Sequence, residues 1–198
     1  VVTTSLLSVL ENKCYNDEDG VIILDIKGGT NIYTVDWGSL DPSKLQSDNH
    51  AIGLGAKIYN IDVKDSNGCQ VSHSVEVTQP NKTLSATGTV KQNKCYNATE
   101  GEIDLIVDGG TPNYRYIWQG VGVNPTAEDQ ISLTAGQEYS VKVYDANGCS
   151  WEGSFTMDNP QELILSLTSK DITCNNAANG TIEAQVTGEA PFTYTWEN

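Results

Sequence analysis

Residues 139–149 read Tyr-Ser-Val-Lys-Val-Tyr-Asp-Ala-Asn-Gly-Cys, and this stretch decides the fold. Its tyrosine and two valines alternate with polar or solvent-tolerant residues, which is the pattern of a half-buried β-strand. The Asn147-Gly148 pair tolerates positive φ and predicts a tight hairpin turn. Cys149 therefore opens the return strand of a predicted hairpin.

The same pattern stands 80 residues earlier, where residues 59–69 read Tyr-Asn-Ile-Asp-Val-Lys-Asp-Ser-Asn-Gly-Cys. A match of this length at a fixed spacing indicates an internal repeat. We predict repeat one over residues 3–82, repeat two over 83–161 and the truncated start of repeat three over 162–198. Since the third copy stops within its strand pattern, we interpret the chain as a segment of a longer protein.

Short predicted strands with turn signals between them fill each repeat. In repeat one they cover residues 4–10, 22–26, 33–37, 52–54, 59–65 and 71–77, with a polar loop over 38–50. This pattern predicts an all-β protein of tandem immunoglobulin-like β-sandwich repeats of about 80 residues, in an extended string. In repeat three we predict a third strand at 192–196. A truncated sandwich cannot cover its inner face, so we expect this repeat to be the least ordered part of the chain or to pack against repeat two.

Four aromatic residues are predicted core markers. Trp37 and Trp118 fall on the core-facing positions of the third strand in their repeats. Tyr59 and Tyr139 stand where an immunoglobulin-like domain has its tyrosine corner, in which the hydroxyl group bonds back to the preceding turn.

The composition excludes several kinds of partner. The formal net charge of −15 argues against nucleic acid, whose phosphates require a basic surface. No run of about 18 apolar residues occurs, so we expect no membrane insertion. No signal peptide opens the sequence, and targeting segments are expected to lie outside it.

The five cysteines are Cys14, Cys69, Cys95, Cys149 and Cys174. They recur at one early and one late position of the repeat, which predicts disulfides and an oxidising, extracytoplasmic setting. Two pairings are open. Within repeats, Cys14 would bond Cys69 and Cys95 would bond Cys149, each closing a loop worth roughly 4 kcal/mol.

Between repeats, Cys14 would bond Cys149, and Cys95 would bond a cysteine past residue 198. Immunoglobulin topology raises an objection to the pairing within repeats, because it places Cys14 and Cys69 at opposite ends of one sandwich. A seven-residue strand separates those ends by roughly 23 Å, whereas a disulfide needs Cα atoms within about 7 Å.

Catalysis is not expected, since His50 and His73 are isolated and recur in no other repeat. Calcium is a possible cofactor because its ligands are oxygen atoms in acidic loops. The candidate ligands are Asp17, Glu18, Asp19, Asp65 and Asp145. The competing interpretation of Asp145 is turn chemistry, in which a short polar side chain bonds its own backbone.

A family resemblance rests on the order of motifs within each repeat. A cysteine and polar turn precede Gly-Gly-Thr, an aromatic strand ending in Trp, then Tyr-x-Ile/Val-x-Val-x-Asp-x-Asn-Gly-Cys and a closing Gln-Pro or Asn-Pro. This order resembles the SprB-type repeat of very large cell-surface adhesins in gliding bacteria of the Bacteroidetes. Repeat three departs from it, with Gly188-Glu189-Ala190 in place of Gly-Gly-Thr.

The resemblance implies a secreted filament on the surface of a Gram-negative bacterium. Its partners would be neighbouring repeats of the same chain and, through parts outside this segment, the gliding and secretion machinery. The main hypothesis is a structural stalk segment. The alternative is a module that binds carbohydrate or a solid surface, for which Tyr15, Tyr96 and Trp151 are exposed-aromatic candidates.

Overall fold

The computed structural model describes residues 1–197. Fifteen strands and one short 3₁₀-helix make up its regular structure. The strands are β1 Val2–Leu10, β2 Gly20–Gly28, β3 Tyr33–Asp36, β4 Leu45–Ser47, β5 His50–Leu54, β6 Lys57–Asp65, β7 Gln70–Val77, β8 Ser85–Lys91, β9 Gly101–Asp108, β10 Arg115–Gln119, β11 Gln130–Leu133, β12 Glu138–Tyr144, β13 Ser150–Thr156, β14 Ile164–Lys170 and β15 Thr181–Thr187. The prediction of an all-β chain is confirmed.

The strand order confirms the immunoglobulin-like fold. In repeat one, β1-β2-β5-β4 form one sheet and β3-β6-β7 form the other. This is the strand order of an immunoglobulin constant-type sandwich. Repeat two has sheets β8-β9-β11 and β10-β12-β13, which is the same arrangement without a counterpart of β4.

By contacts, the chain divides into two compact units. Unit 1 comprises Val1–Ala86, Val107–Arg115 and Val143–Trp151. Unit 2 comprises Thr87–Ile106, Tyr116–Lys142 and residues 152–197. The Asn147-Gly148 turn of repeat two thus belongs to the same compact unit as repeat one.

Alternating apolar residues form the core of repeat one. Ile22 and Leu24 on β2 and Ile61 on β6 are completely buried. In the hairpin of β6 and β7, Tyr59 pairs with Val75 and Val63 pairs with Val71, so the apolar positions of both strands share one face. This alternation is why the repeating stretch predicted the strand correctly.

The loop predicted over 38–50 contains more structure than expected. A 3₁₀-helix spans Pro42–Lys44 and is followed by β4, which pairs with β5. Asp41 caps the helix, because its side chain accepts a hydrogen bond from the Ser43 amide at 2.9 Å. The prediction of an irregular loop was therefore wrong, and Asp41-Pro42 was the available signal.

Repeat three is a two-stranded sheet of β14 and β15, with Leu165 opposite Val186 and Leu167 opposite Ala184. The predicted strand at 192–196 is wrong, since the described residues 191–197 form no strand. Its counterpart in repeat one, β3, is held by pairing with β6. None of the described strands pairs with residues 192–196 in that way.

Candidate functional site

A disulfide joins Cys14 to Cys149, with Cα atoms 5.8 Å apart. Cys14 lies in the loop between β1 and β2, and Cys149 lies just after the turn between β12 and β13. Both belong to unit 1, although they are 135 positions apart in sequence. The bond therefore ties repeat one covalently to the last hairpin of repeat two.

The turn that carries Cys149 is organised by Asp145. One carboxylate oxygen of Asp145 accepts hydrogen bonds from the amides of Asn147 and Cys149, both at 2.9 Å. The Asp145 amide donates to the Cys149 carbonyl at 3.0 Å. These bonds hold the cysteine backbone from within its own turn, as Asp side chains commonly do.

The Gly109-Gly110-Thr111 turn supports the same aspartate. The Thr111 amide donates to the second carboxylate oxygen of Asp145 at 2.8 Å. Gly110 has a φ of 62°, and a Cβ atom there would lie 2.7 Å from that oxygen. Glycine is needed here because the backbone must approach the carboxylate closely.

The loop that carries Cys14 is tied to its own repeat. The Lys13 amide donates to Asp19 at 3.1 Å, and the Asn16 amide donates to the Gln79 side chain at 2.9 Å. The Lys13 carbonyl accepts a hydrogen bond from Asn147 Nδ2 at 2.9 Å. A polar contact thus accompanies the disulfide between two preorganised segments.

Repeat one contains a second copy of the turn at 65–69. One oxygen of Asp65 accepts from the amides of Asn67 and Cys69 at 3.0 and 2.9 Å, and the other accepts from Thr30 at 3.1 Å. Hydrogen bonds from the Thr30 and Cys69 amides hold the pKa of Asp65 below its usual range. Cys69 itself is an exposed free thiol.

The structure forms neither of the disulfides predicted within repeats, Cys14–Cys69 and Cys95–Cys149. The Asn12 amide donates to the Thr78 carbonyl, so the Cys14 loop lies beside the end of β7. Cys69 stands just before the start of β7, which spans eight residues. A strand of that length is about 25 Å long, far beyond the roughly 7 Å that a disulfide can bridge.

The candidate calcium ligands do not converge. Asp65 and Asp145 direct their oxygens at backbone amides, and Glu18 forms an ion pair with Lys44 at 2.7 Å. This pair lowers the pKa of Glu18 and raises that of Lys44. Within residues 1–197, no three histidine, cysteine or acidic side chains are grouped to hold a metal ion.

The remaining predicted positions are distributed through the fold. Trp37, Trp118, Tyr59 and Tyr139 are buried. The Tyr59 hydroxyl donates to the Gly55 carbonyl at 2.9 Å, and the Tyr139 hydroxyl donates to the Thr134 carbonyl at 3.2 Å.

The two histidines and the candidate sugar-binding aromatics are also separated. His50 and His73 lie on different sheets of repeat one, on β5 and β7. Tyr15 and Tyr96 are exposed, and Trp151 is half-buried on β13.

The residues around the early cysteine were missed by sequence reasoning. Residues 12–16 read Asn-Lys-Cys-Tyr-Asn, and residues 93–97 repeat this pentapeptide without change. Asn12 and Asn93 are buried, and each accepts a hydrogen bond from an amide seven residues later, Asp19 and Glu100. The identity of the two pentapeptides was the signal for a shared loop structure.

Comparison with known proteins shows that parts of the chain are similar to a repeat family. The family model of the SprB repeat matches residues 87–123 and 166–198. Two segments of this chain are therefore SprB-like. A solved 282-residue C-terminal fragment of intimin, in complex with the intimin-binding domain of its translocated receptor, aligns with 12% identity and a TM-score of 0.35. That alignment covers 83% of this chain and 66% of the fragment.

The search of curated proteins found no match. SprB repeats belong to cell-surface proteins, and the match indicates a repeat region of a cell-surface adhesin. The match to the SprB repeat favours a non-catalytic structural domain. Within residues 1–197, no helix has the length and apolar character needed to cross a membrane.

Proposed function

We propose that this chain is a structural segment of the stalk of a large secreted adhesin that serves gliding motility and surface attachment. The observation that carries the proposal is the Cys14–Cys149 bond, which ties one repeat to the next. A stalk must transmit tension without lengthening freely, and a covalent bond between successive repeats provides this property. The SprB-like segments and the immunoglobulin-like sandwiches support the same function.

The strand arrangement supports a mechanical role. In repeat one, β1 pairs with β2 from Val2 to Leu10, so tension applied at the amino terminus acts along the first strand of the sandwich. Antiparallel ladders of this kind hold through many backbone hydrogen bonds. The disulfide then shields residues 14–149 from extension, because the force passes through the sulfur atoms instead of the intervening chain.

Single-molecule stretching between the two termini tests this function. Reduction should release the chain between the two cysteines, which are 135 positions apart, and so add about 450 Å of contour length at roughly 3.3–3.6 Å per residue. The Cys149→Ser variant should give the longer extension without reductant, while Cys69→Ser should behave like the parent chain. Equal extensions with and without reductant would contradict the proposal.

A further inference from the structure

An asparagine followed by glycine stands at the tip of each of the two matching turns. Residues 65–69 read Asp-Ser-Asn-Gly-Cys and residues 145–149 read Asp-Ala-Asn-Gly-Cys, so a single residue distinguishes them. Asparagine loses its side-chain amide most readily before glycine, because glycine has no side chain to shield its nitrogen. A third pair, Asn179-Gly180, lies just before β15 of repeat three and is not part of such a turn.

The backbone of the two turns is nearly the same. In both, the glycine amide donates to the aspartate carbonyl, at 2.9 Å for Gly68 and 3.2 Å for Gly148. Both glycines have positive φ, at 80° and 89°, and both asparagines are exposed to solvent. The shorter bond of Gly68 would by itself slow an attack by its nitrogen, so a faster reaction at Asn67 has to originate in the asparagine side chains.

The asparagine side chains are held differently. The Asn67 Nδ2 atom donates to Thr30 Oγ1 at 2.7 Å, which is its one described contact. The Asn147 Nδ2 atom donates to Thr111 Oγ1 at 3.0 Å and also to the Lys13 carbonyl at 2.9 Å. Both hydrogens of the Asn147 amide group are therefore engaged. Its second acceptor belongs to the early loop of repeat one.

The disulfide adds a second restraint on the later turn. Cys149, two residues after Asn147, is bonded to Cys14, whereas Cys69, two residues after Asn67, is an exposed free thiol. Closure of a ring between the asparagine side chain and the next nitrogen requires the turn to open locally. A covalent tie to another segment makes such opening less frequent at Asn147.

We propose that Asn67 is a site of spontaneous deamidation in the folded chain, and that the disulfide between repeats protects Asn147 from the same reaction. The Gly68 nitrogen loses its proton to hydroxide, attacks the Cγ atom of Asn67 and forms a bond to it. The bond from Cγ to Nδ2 breaks, and the nitrogen takes up a proton and leaves as ammonia. Water then opens the resulting succinimide at either carbonyl, which gives aspartate or isoaspartate without oxidation or reduction.

Deamidation alters the turn that carries Cys69. The product at position 67 is a carboxylate, which cannot donate to Thr30 Oγ1 as the amide does. It also places a negative charge beside Asp65, whose carboxylate accepts from the backbone amide of residue 67. Isoaspartate adds one carbon atom to the backbone before Gly68, which displaces its amide from the Asp65 carbonyl. The reaction therefore loosens the turn of repeat one and spares that of repeat two.

The test incubates the whole oxidised 198-residue chain in mildly alkaline buffer, with its free thiols blocked so that they cannot exchange with the disulfide. Peptide mapping by mass spectrometry follows asparagine, aspartate and isoaspartate at positions 67 and 147 over time. We expect Asn67 to react at least about fivefold faster than Asn147, the factor that one hydrogen bond of about 1 kcal/mol gives. In the reduced chain in urea the two rates should be equal.

Removing the disulfide tests the source of the protection. In the Cys14→Ser, Cys149→Ser variant, the rate at Asn147 should rise towards that at Asn67. The rate at Asn67 should stay as it is in the parent chain and well below its rate in urea. This unchanged rate also shows that repeat one is still folded in the variant.

A matched pair of threonine variants tests the side-chain contacts while the disulfide stays in place. Thr30→Val removes the described acceptor of the Asn67 amide group and should speed the reaction at Asn67 alone. Thr111→Val leaves Asn147 bonded to the Lys13 carbonyl, so the rate at Asn147 should change less.

Three results would overturn the proposal. Equal rates at Asn67 and Asn147 in the folded chain would show that the disulfide gives no protection. Absence of product at Asn67, while the chain in urea reacts, would show that the turn protects both copies. A rate at Asn147 that stays low without the disulfide would assign the protection to the turn itself. The stalk function survives each of these results, because it rests on the Cys14–Cys149 bond.

Discussion

The turns at 65–69 and 145–149 have nearly the same hydrogen bonding, but their cysteines are in different states. In each, an aspartate accepts three backbone amides, from the Gly-Gly-Thr turn, from the asparagine and from the cysteine. In each, the asparagine side chain donates to the threonine hydroxyl, at 2.7 and 3.0 Å. Yet Cys149 is bonded to Cys14, while Cys69 is a free, exposed thiol.

The difference lies outside the turns. Asn147 has one additional acceptor, the Lys13 carbonyl, which Asn67 lacks among the described contacts. The internal hydrogen bonds prepare the cysteine backbone in both copies, and a neighbouring early loop then determines whether a disulfide forms. Cys69 therefore stays a free thiol although its turn is organised in the same way.

Removing the disulfide should lower the free energy of unfolding more than any other change in the two turns. Cys149→Ser opens a loop of 135 residues, and the chain-entropy model gives a loss of about 5 kcal/mol in the free energy of unfolding. Cys69→Ser should change it by less than about 0.5 kcal/mol, as exposed substitutions usually do. Urea unfolding followed by tryptophan fluorescence measures both. Equal losses for the two variants would refute the assignment of different roles to the two cysteines.

Glycine substitutions should affect the two turns equally. Gly29→Ala and Gly110→Ala each place a Cβ atom at positive φ, within 2.8 Å of the supporting aspartate oxygen. The left-handed conformation alone costs about 1–2 kcal/mol for a residue with a side chain. The same urea titrations should show losses of at least that size for both, with Gly38→Ala as a control at positive φ in open space. A loss confined to one turn would show that the turns are organised differently.

Alanine substitutions of the two asparagines should differ by about 1 kcal/mol in the free energy of unfolding that they cost. Asn67→Ala removes the bond to Thr30, whereas Asn147→Ala removes the matching bond to Thr111 and the bond to the Lys13 carbonyl. One net hydrogen bond is worth about 1 kcal/mol. The difference between the two variants should vanish in a Cys14→Ser, Cys149→Ser background if the contact depends on the disulfide.

Acid should modestly lower the stability contributed by the turn at 65–69. The pKa of Asp65 is lower in the folded chain than its ordinary value, owing to the amides of Thr30 and Cys69. Its contribution to stability is therefore present above the unfolded pKa of about 3.9 and is lost as the pH falls through the folded pKa. Asp65→Asn should reduce the dependence of the chain's stability on pH between pH 5 and pH 2. Thermal unfolding at each pH measures this slope. An unchanged slope would show that the carboxylate charge does not stabilise the turn.

The fold was largely predictable because each strand covers one core face. Period-two alternation in residues 59–65 and 139–144 is required wherever a strand is half-buried, so the sequence records it directly. The 3₁₀-helix at Pro42–Lys44 and β4 were not predicted, because short polar segments carry no such alternation. The failed strand at 192–196 shows that alternation is insufficient where no partner strand pairs with it.

The link between repeats one and two, formed by the Cys14–Cys149 disulfide, was only half predictable. Topology argued against a bond between Cys14 and Cys69 on distance, but the pairing within repeats and the pairing of Cys14 with Cys149 both stayed open. The contact between Asn147 and the Lys13 carbonyl joins residues 134 positions apart, and no local pattern encodes such a pairing. The identical pentapeptides at 12–16 and 93–97 did carry the signal that both early loops are built alike.

Peptide mapping under non-reducing conditions tests the central claim most directly. The free thiols of the oxidised chain are blocked, the chain is digested, and disulfide-linked peptides are identified by mass spectrometry. We predict a linked pair containing Cys14 and Cys149, with Cys69 recovered in blocked form. A pair linking Cys14 to Cys69, or Cys95 to Cys149, would contradict the joint between repeats and the stalk function that depends on it.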